Sequence, residues 1–585
     1  MNSPWRLNLV SIFFALIFIL IIGRLFYWQI LAGDSLAVLA QTQQQTSLEL
    51  SAKRGEILTS DNSFLVANQP AYFTYLSRQN QPLALDLASL LAPIVYNQVT
   101  QSATPSGMLS DSEKKQLITQ AQTTLQNRFD DPSLTWIPLA RKLTQQTRWQ
   151  IESLNINNLY FEEEQTRLYP EASMAAHLIG FVGSTEQGKD IGLYGLEGFY
   201  QTELAGRPGL ILQEKDAFNQ PILTGRYQQQ IAKDGRQLKL YLDKGLQFLV
   251  ETKLKKALDR YGAKAGSVTI MDPNTGAILA MASFPSYNPM EFTRYDPSLY
   301  LNPVISDAFE PGSIFKVFVM AAALQEEGIK IDTICDICDG PVKIDKYTIN
   351  TWDNNYRPNS SITDILVHSD NVGMVFVGQK LGLDKYLDYF HRFGFTDSTD
   401  IDLQDESTPE AKPDKDWTYV DLATGSFGQG FVVTGMQLLQ AVSAIANGGN
   451  LVTPRVVDKV ISNNQELTIP VKIKRQVISP ETAKLVTEMM VAAAKSGEAQ
   501  WANVKGYRIA GKTGTAQIAF GGQYAKEKTN ASFIGFAPAD NPKFAMLVTL
   551  KEPQTSQWAS ETAAPLWFSL AQDLLNHFNI LPENY

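Results

Sequence analysis

Glu310-Pro311-Gly312-Ser313-Ile314-Phe315-Lys316 is the stretch on which the reading of the whole chain depends. Pro311 and Gly312 stand before an apolar run, Ile314 to Leu324, that suits a helix and that Gly328 can end. Proline fits a first helical turn because its missing N–H is not needed there. A helix starting here carries Ser313 in its first turn, and Lys316, three residues on, shares its face. A serine hydroxyl becomes a nucleophile when a base lies within hydrogen-bond reach. A neighbouring lysine serves as that base when burial or a nearby charge lowers its pKa. The helix N-terminus adds N–H groups and partial positive charge where an oxyanion would form. Ordinary composition yields roughly one or two Ser-x-x-Lys matches by chance in a chain this long, so the rest of the sequence has to decide.

At 585 residues the chain is too long for one core, and two or more domains are expected. A net charge of −10 argues against a general nucleic-acid binder, which would show a basic face. The four histidines, His177, His368, His391 and His577, form no spaced cluster, which speaks against a histidine-built metal site. The two cysteines, Cys335 and Cys338, leave three options: a local disulfide, two free thiols, or half a metal site completed by other ligands. No thioredoxin-like βαβ context surrounds them.

Residues 1–6 read as a polar tail, and 7–31 as a transmembrane anchor interrupted only by Asn8, Ser11, Arg24 and Gln29. About 20 apolar residues span a bilayer, Tyr27 and Trp28 suit its far interface, and Arg24 can snorkel towards it. No small-residue cleavage site follows, so an uncleaved anchor is expected rather than a signal peptide. Arg6 on one side and Lys53 and Arg54 on the other leave the orientation open by charge.

Residues 41–47 form a polar stalk, 48–80 hold short β-like runs around Arg54-Gly55-Glu56-Ile57, and 84–156 read as helical and polar, looser near 98–112. This part carries no evident chemistry and reads as a scaffold. A composition shift near 232–240 opens a second domain. Ser267–Asp272 and Ala277–Ser283 predict a hairpin about Asp272-Pro273-Asn274-Thr275-Gly276. Helical patterns run from Ile314 to about Asn447. Strands return at Tyr507–Ala510, Thr515–Ala519, Ser532–Ala537 and Phe544–Leu550, before a helix over about Ser560–Phe578. That order predicts a sheet whose first and last segments meet, with a helical half beside it.

Two further polar clusters fall inside this domain. Ser369-Asp370-Asn371 sits between the helix-like runs Ile362–Val367 and Val372–Leu381, where it can point a hydroxyl and an amide into a cleft. Gly511-Lys512-Thr513-Gly514-Thr515 lies among strand-like runs; its glycines permit close approach by a ligand, and its lysine and hydroxyls suit a carboxylate. The spacing of a phosphate-binding P-loop is absent.

Ser313…Lys316, Ser369…Asn371 and Lys512-Thr513-Gly514, in this order, match the motif set of penicillin-binding proteins and class A β-lactamases. Over nearly its whole length the chain resembles a class B penicillin-binding protein. The resemblance includes the anchor, Arg54-Gly55-x-Ile57, Arg167-x-Tyr169-Pro170 and Gly195-x-Glu197. It continues through Asp272-Pro273-x-Thr275-Gly276, Ser426-x-Gly428-Gln429-Gly430 and Ala446-Asn447-Gly448-Gly449. Three departures stand out: Leu58-Thr59-Ser60-Asp61 replaces an aspartate-arginine pair after Ile57, Gly435 stands where proline is common, and Cys335/Cys338 lie outside the family pattern.

The resemblance implies a multi-domain α+β protein: the anchor, an elongated pedestal of dimerisation type over 32–235, and a penicillin-binding transpeptidase domain over 236–585. The latter would have a central antiparallel sheet flanked by helices and an all-helical subdomain. It implies a peptidoglycan transpeptidase working through a serine acyl-enzyme on D-Ala-D-Ala stem peptides, with β-lactams as mimics and no metal or cofactor. Ser313 would be the nucleophile and Lys316 its base. Ser369 would relay a proton, while Asn371 holds Lys316 and the substrate. Lys512, Asp370, Thr513, Gly514 and Thr515 would serve the substrate, and the N–H groups of Ser313 and Thr515 would form the oxyanion hole. The catalytic domain would face the extracytoplasmic side of the inner membrane with the N-terminus inside. A SEDS-type glycosyltransferase and divisome or elongasome proteins are the expected partners. Short linkers and the lack of C-terminal repeat modules lean towards division. A membrane-anchored carboxypeptidase or β-lactamase, a β-lactam sensor and a catalytically idle division scaffold are the competing readings.

Overall fold

The computed structural model describes residues 4–37, 45–78, 86–103, 111–134, 136–185, 188–214, 222, 227–462, 465–520 and 523–583. Residues 1–3 of the expected tail, and parts of the expected stalk (41–47) and loose stretch (98–112), lie outside them. Helix α1 (Pro4–Phe26) runs on into a π-helical turn, Tyr27–Leu31. Trp5–Leu31 is the one helical stretch among the described residues that is long and apolar enough to cross a bilayer, and its apolar side chains are exposed. The Arg24 guanidinium lies 5.0 Å from the Trp28 ring centroid and 5.7 Å from that of Tyr27, in keeping with an interfacial end to the span.

The chain divides into two compact units, 1–54 with 206–235 and 55–205 with 236–585. The smaller contains α1 and an antiparallel three-stranded sheet ordered Gln45–Leu50, Gly209–Glu214, Tyr227–Gln230. Within the larger, one seven-stranded sheet takes strands from both sides of residue 235. Ile57–Leu58 pairs in parallel with Gln237–Leu240, which pairs with Val457–Ser462. On its other side Ile57–Leu58 pairs with Phe64–Ser77, which in turn pairs with Trp136–Leu143 and Leu159–Leu168. Strand Trp136–Leu143 corrects the helical reading of 84–156. Its inward residues Ile137, Leu139 and Leu143 alternate as a strand requires. Pro138 and the neighbouring Arg141 and Lys142 disguise that alternation, and proline argues against a strand interior.

The signatures that carried the pedestal resemblance meet at one place. Arg167 Nε donates to Glu197 Oε1 at 2.9 Å, Nη1 to Asn68 Oδ1 at 2.8 Å and Nη2 to the Gly55 carbonyl at 2.7 Å. Arg167 and Glu197 are both buried. The planar guanidinium suits such a site because its donors point in fixed directions. Gly55 is required here, since a Cβ would stand 1.9 Å from the Arg236 carbonyl oxygen. The departing run after Ile57 closes its own turn: Asp61 accepts from the Thr59 hydroxyl and from the Ser63 N–H and hydroxyl.

The catalytic sheet comprises β1 (Ala265–Met271), β2 (Ile278–Phe284), β3 (Ala510–Phe520), β4 (Gln523–Ala537) and β5 (Phe544–Lys551). Its order is β2-β1-β5-β4-β3, all antiparallel, so the first and last segments meet as expected. The two runs expected at Tyr507–Ala510 and Thr515–Ala519 are one strand, β3, that begins only at Ala510. The turn motif before β2 touches the Ala446–Gly449 motif directly, Asn447 Nδ2 donating to the Pro273 carbonyl at 2.8 Å. The helical half contains α2 (Lys316–Gln325), α3 (Asn371–Leu381) and α4 (Gly435–Ala446), with further short helices and the hairpin Val342–Ile344/Tyr347–Ile349. Reciprocal capping boxes, Ser361 with Asp364 and Thr434 with Gln437, begin the helices at Ile362 and Gly435. Cys335 and Cys338 form a disulfide, which removes the free-thiol and metal-site options. Helix α5 (Ala563–His577) covers the sheet, and its buried Trp567 donates Nε1 to the Met546 carbonyl at 2.9 Å.

Candidate active site

The serine stretch is tighter than its sequence suggests. Gly312–Phe315 is a 3₁₀ turn, and α2 starts at Lys316 and ends at Gln325, before Gly328. In a 3₁₀ turn residues i and i+3 eclipse one another, so Ser313 and Lys316 remain on one face. The turn depends on glycines. Gly312 has φ +58° and donates its N–H to the Gly428 carbonyl at 2.9 Å. Gly428 has φ +84°, and a Cβ on it would stand 2.1 Å from the Gly312 carbonyl oxygen. The Ser426-x-Gly428-Gln429-Gly430 motif therefore props the nucleophile turn.

On the other side lies β3, the edge strand of its sheet, which has backbone groups to spare. A Cβ on Gly514 would meet Ile314 Cγ2 at 2.7 Å and the Pro311 carbonyl oxygen at 3.2 Å. Only a bare Cα permits that approach. The segments carrying the N–H groups of Ser313 and Thr515 are thereby brought against each other.

Lys316 reaches from the first residue of α2 into a buried polar knot. Its Nζ donates to the Ser369 carbonyl at 2.5 Å and to Asn371 Oδ1 at 2.8 Å, and lies 3.3 Å from Ser369 Oγ. Lys512 Nζ approaches from β3 and donates to the same Ser369 Oγ at 3.0 Å. The two ammonium groups are 0% and 3% exposed, with Ser369 at 3% between them. Ser369 sits at φ +53°, a region L-residues other than Asn and Asp rarely occupy. Strain of this kind persists where surrounding bonds fix it; here both oxygens of Ser369 contact lysines. Burial pushes the pKa of Lys316 well below the ordinary lysine value of 10.5; the charge of Lys512 adds to this, while Glu498 and Asp370 oppose it. Lys512 is lowered too, by burial, against the pull of Glu498.

The remaining expected residues are placed as follows. Asn371 opens α3, binds Lys316 through Oδ1 and donates Nδ2 to the Asn350 carbonyl at 3.3 Å. Asp370 caps α3: its Oδ1 accepts the Gly373 N–H at 3.1 Å, and it is buried. A short acidic side chain before a helix satisfies free N–H groups of the first turn. Thr513 Oγ1 accepts from Lys512 Nζ at 3.1 Å, and Thr515 Oγ1 accepts the Ala559 N–H at 3.1 Å.

Sequence reasoning missed three residues here. Glu498, in the turn after helix Pro480–Ser496, accepts the Thr513 hydroxyl at 3.1 Å. Trp352 donates Nε1 to the His368 carbonyl, and its ring stands edge-on to Trp558, centroids 5.2 Å apart. Trp558 precedes Ala559, so this aromatic pair joins the Ser369 side of the site to the Thr515 side. All three lie in loops far from the motifs in sequence, and no spacing marks them.

Residues 266–574 match the penicillin-binding protein transpeptidase domain, and 49–240 match the penicillin-binding protein dimerisation domain. The chain belongs to the class B penicillin-binding proteins, in which these two domains are joined. It is 31% identical to stage V sporulation protein D of Bacillus subtilis (strain 168), over 99% of this chain and 86% of that protein. It is 32% identical to the peptidoglycan D,D-transpeptidase FtsI of Escherichia coli (strain K12), over 77% of this chain and 74% of that protein. The fold superposes on a peptidoglycan synthetase from Bifidobacterium adolescentis with a TM-score of 0.72 at 24% identity, covering 93% of this chain and 98% of that one. Penicillin-binding protein 3 of Mycobacterium tuberculosis, complexed with aztreonam, gives 0.68 at 24%, covering 92% and 98%.

Proposed function

We propose that this chain is a serine-type D-Ala-D-Ala transpeptidase that cross-links peptidoglycan stem peptides and is acylated by β-lactams. The observation that carries this reading is the shared hydroxyl of Ser369, within 3.3 Å of Lys316 Nζ and 3.0 Å of Lys512 Nζ, Lys316 following Ser313 by one 3₁₀ turn. A neutral amine has two N–H bonds and one lone pair. On Lys316 the Ser369 carbonyl and Asn371 Oδ1 accept the two N–H bonds, which frees the lone pair for a proton.

Acylation then proceeds by addition and elimination. Lys316 takes the proton of Ser313 as Oγ bonds to the carbonyl carbon of the penultimate D-alanine. The carbonyl oxygen becomes an oxyanion, held by the N–H groups of Ser313 and Thr515; removing one such donor typically costs a factor of about 10²–10³ in rate. The peptide C–N bond breaks, its nitrogen receives the proton through Ser369, and D-alanine leaves as a free amine. An amine from a second stem peptide attacks the ester, returns a proton through Lys316 to Ser313 Oγ, and completes the cross-link. Lys512 provides the positive potential that attracts the terminal carboxylate.

In the same reading, residues 7–31 anchor the chain with its N-terminus inside and its catalytic domain outside. Residues 32–235 serve as pedestal and 236–585 as the transpeptidase domain. Glycan strands come from a SEDS-type membrane glycosyltransferase, and the site of action is the septum rather than the lateral wall. The apolar Trp5–Leu31 helix supports the anchor. Intact-mass analysis with benzylpenicillin tests the central claim. The native chain should acquire one drug mass that persists for hours, and Ser313→Ala none. An adduct lost within minutes would make the protein a β-lactamase; no adduct on a folded chain would leave an idle scaffold.

A further inference from the structure

We propose that Glu498 is a positioning residue for acyl transfer: it fixes the Thr513 hydroxyl, so that Lys512 is held on Ser369 and Thr515 is the hydroxyl offered to the substrate's carboxylate. The inference rests on the transpeptidase reading and goes beyond it, because no motif of the set contains Glu498.

A threonine hydroxyl has one proton to donate and lone pairs to accept. Thr513 Oγ1 donates its proton to Glu498 Oε2 at 3.1 Å and accepts from Lys512 Nζ at 3.1 Å. Its proton is therefore committed, and it has none for an incoming carboxylate. Thr515 is the converse case. Its Oγ1 accepts the Ala559 N–H at 3.1 Å, a bond that leaves the hydroxyl proton unspent. Lys512 Nζ is steered by three acceptors, Ser369 Oγ at 3.0 Å, Thr513 Oγ1 at 3.1 Å and the Thr513 carbonyl at 3.2 Å. Glu498 thus ends a chain of contacts running Glu498–Thr513–Lys512–Ser369–Lys316 into the centre of the site.

Charge supports the same assignment. The charged groups acting on the knot are Lys316, Lys512, Asp370 and Glu498. Two buried ammonium groups about one hydroxyl repel each other, and Glu498 favours the protonated form of both. Glu498 is carried on the turn after helix Pro480–Ser496, where Gly497 leaves no room for a side chain: a Cβ would stand 2.3 Å from the Ala493 carbonyl oxygen.

The test is the rate of Ser313 acylation by benzylpenicillin as a function of pH, in the full-length chain in detergent, native beside Glu498→Gln. The amide oxygen of glutamine still accepts the Thr513 proton, but the negative charge is gone, so both lysines release protons at lower pH. The acid limb, set by Lys316 becoming neutral, and the alkaline limb, set by Lys512 losing its charge, should both move down by about one pH unit. A second arm uses a D-Ala-D-Ala peptide: Thr515→Val should raise the half-saturating concentration about tenfold, whereas Thr513→Val should lower chiefly the rate constant of acylation. Limbs that stay in place while the rate falls overturn the inference in favour of simple packing. A longer-lived adduct in Glu498→Gln overturns it in favour of a hydrolytic role, and so does a half-saturating concentration raised more by Thr513→Val than by Thr515→Val. A folded native chain that is never acylated removes the transpeptidase reading and this inference together.

Discussion

Two of the places where the described residues bury charge are treated in opposite ways. At Arg167 every charge-bearing donor has a matching acceptor, and a carboxylate, Glu197, faces the guanidinium directly. At Lys316 and Lys512 two ammonium groups converge on a neutral serine, and their carboxylates stand further off, Asp370 capping a helix and Glu498 behind Thr513. The first site spends its electrostatics on holding strands together. The second keeps a base that is ready to give up its proton. A buried charge that is fully matched is architectural; one left under-matched is chemically active.

This contrast can be broken most sharply at Lys316. Lys316→Arg preserves the charge but introduces a group that does not deprotonate, so acylation by benzylpenicillin should fall by a factor of about 10²–10⁴ while the chain stays folded. Stopped-flow or intact-mass kinetics would show it, and near-native rates in Lys316→Arg would assign the base elsewhere.

The stability counterpart comes next. Arg167→Met takes the facing guanidinium from the buried Glu197 and should cost about 3–5 kcal/mol in denaturant unfolding. Lys316→Met removes an ammonium group that burial disfavours and should cost nothing or raise the midpoint at neutral pH. The pH dependence has a definite sign. Because Lys316 has a folded pKa below its unfolded value of 10.5, the unfolded chain binds the extra proton between the two. Native stability from this group therefore rises with pH through that window, is least below the folded pKa, and loses that rise in Lys316→Met. Equal losses in both methionine variants would erase the distinction between the two sites.

The smallest effect concerns a helix start. Gly435 is the first residue of α4, capped by Thr434, and a Cβ there meets neighbours no closer than 3.4 Å. Proline belongs at such a position, so Gly435→Pro should add about 0.4–1 kcal/mol by narrowing the unfolded ensemble, readable as a small rise in melting midpoint with acylation unchanged.

Much of this was legible in the sequence, for reasons that differ by residue. Ser313 and Lys316 share a face under either helical geometry, so the spacing was informative although the turn proved to be 3₁₀. The strand-like runs of β1, β4 and β5, set about turns, marked the sheet, and its first and last segments meet as the order of elements required. Arg167, Glu197 and Gly55 were visible as motifs, but not as one cluster, because their convergence is a product of strand pairing over long separations. Trp136–Leu143 was hidden by Pro138 and by its two basic residues. The left-handed backbone of Ser369 could not be read, since serine has no preference for it; surrounding bonds impose it. Glu498, Trp352 and Trp558 act through tertiary placement alone. The capping of α3 by Asp370 was legible from its position just before a helix-like run.

The pairing of β1 with β5 has a consequence for biogenesis. Strand β1 emerges early and gains its central neighbour only when residues 544–551 have been made, nearly at the other end of the domain. Contacts this distant in sequence form late and slowly. Until they form, the hairpin of β1 and β2 presents an unpaired edge, the kind of surface on which chains adhere to one another. A chain interrupted before Phe544 should therefore be insoluble rather than merely inactive, so the last strand acts as a checkpoint for completion of the catalytic body.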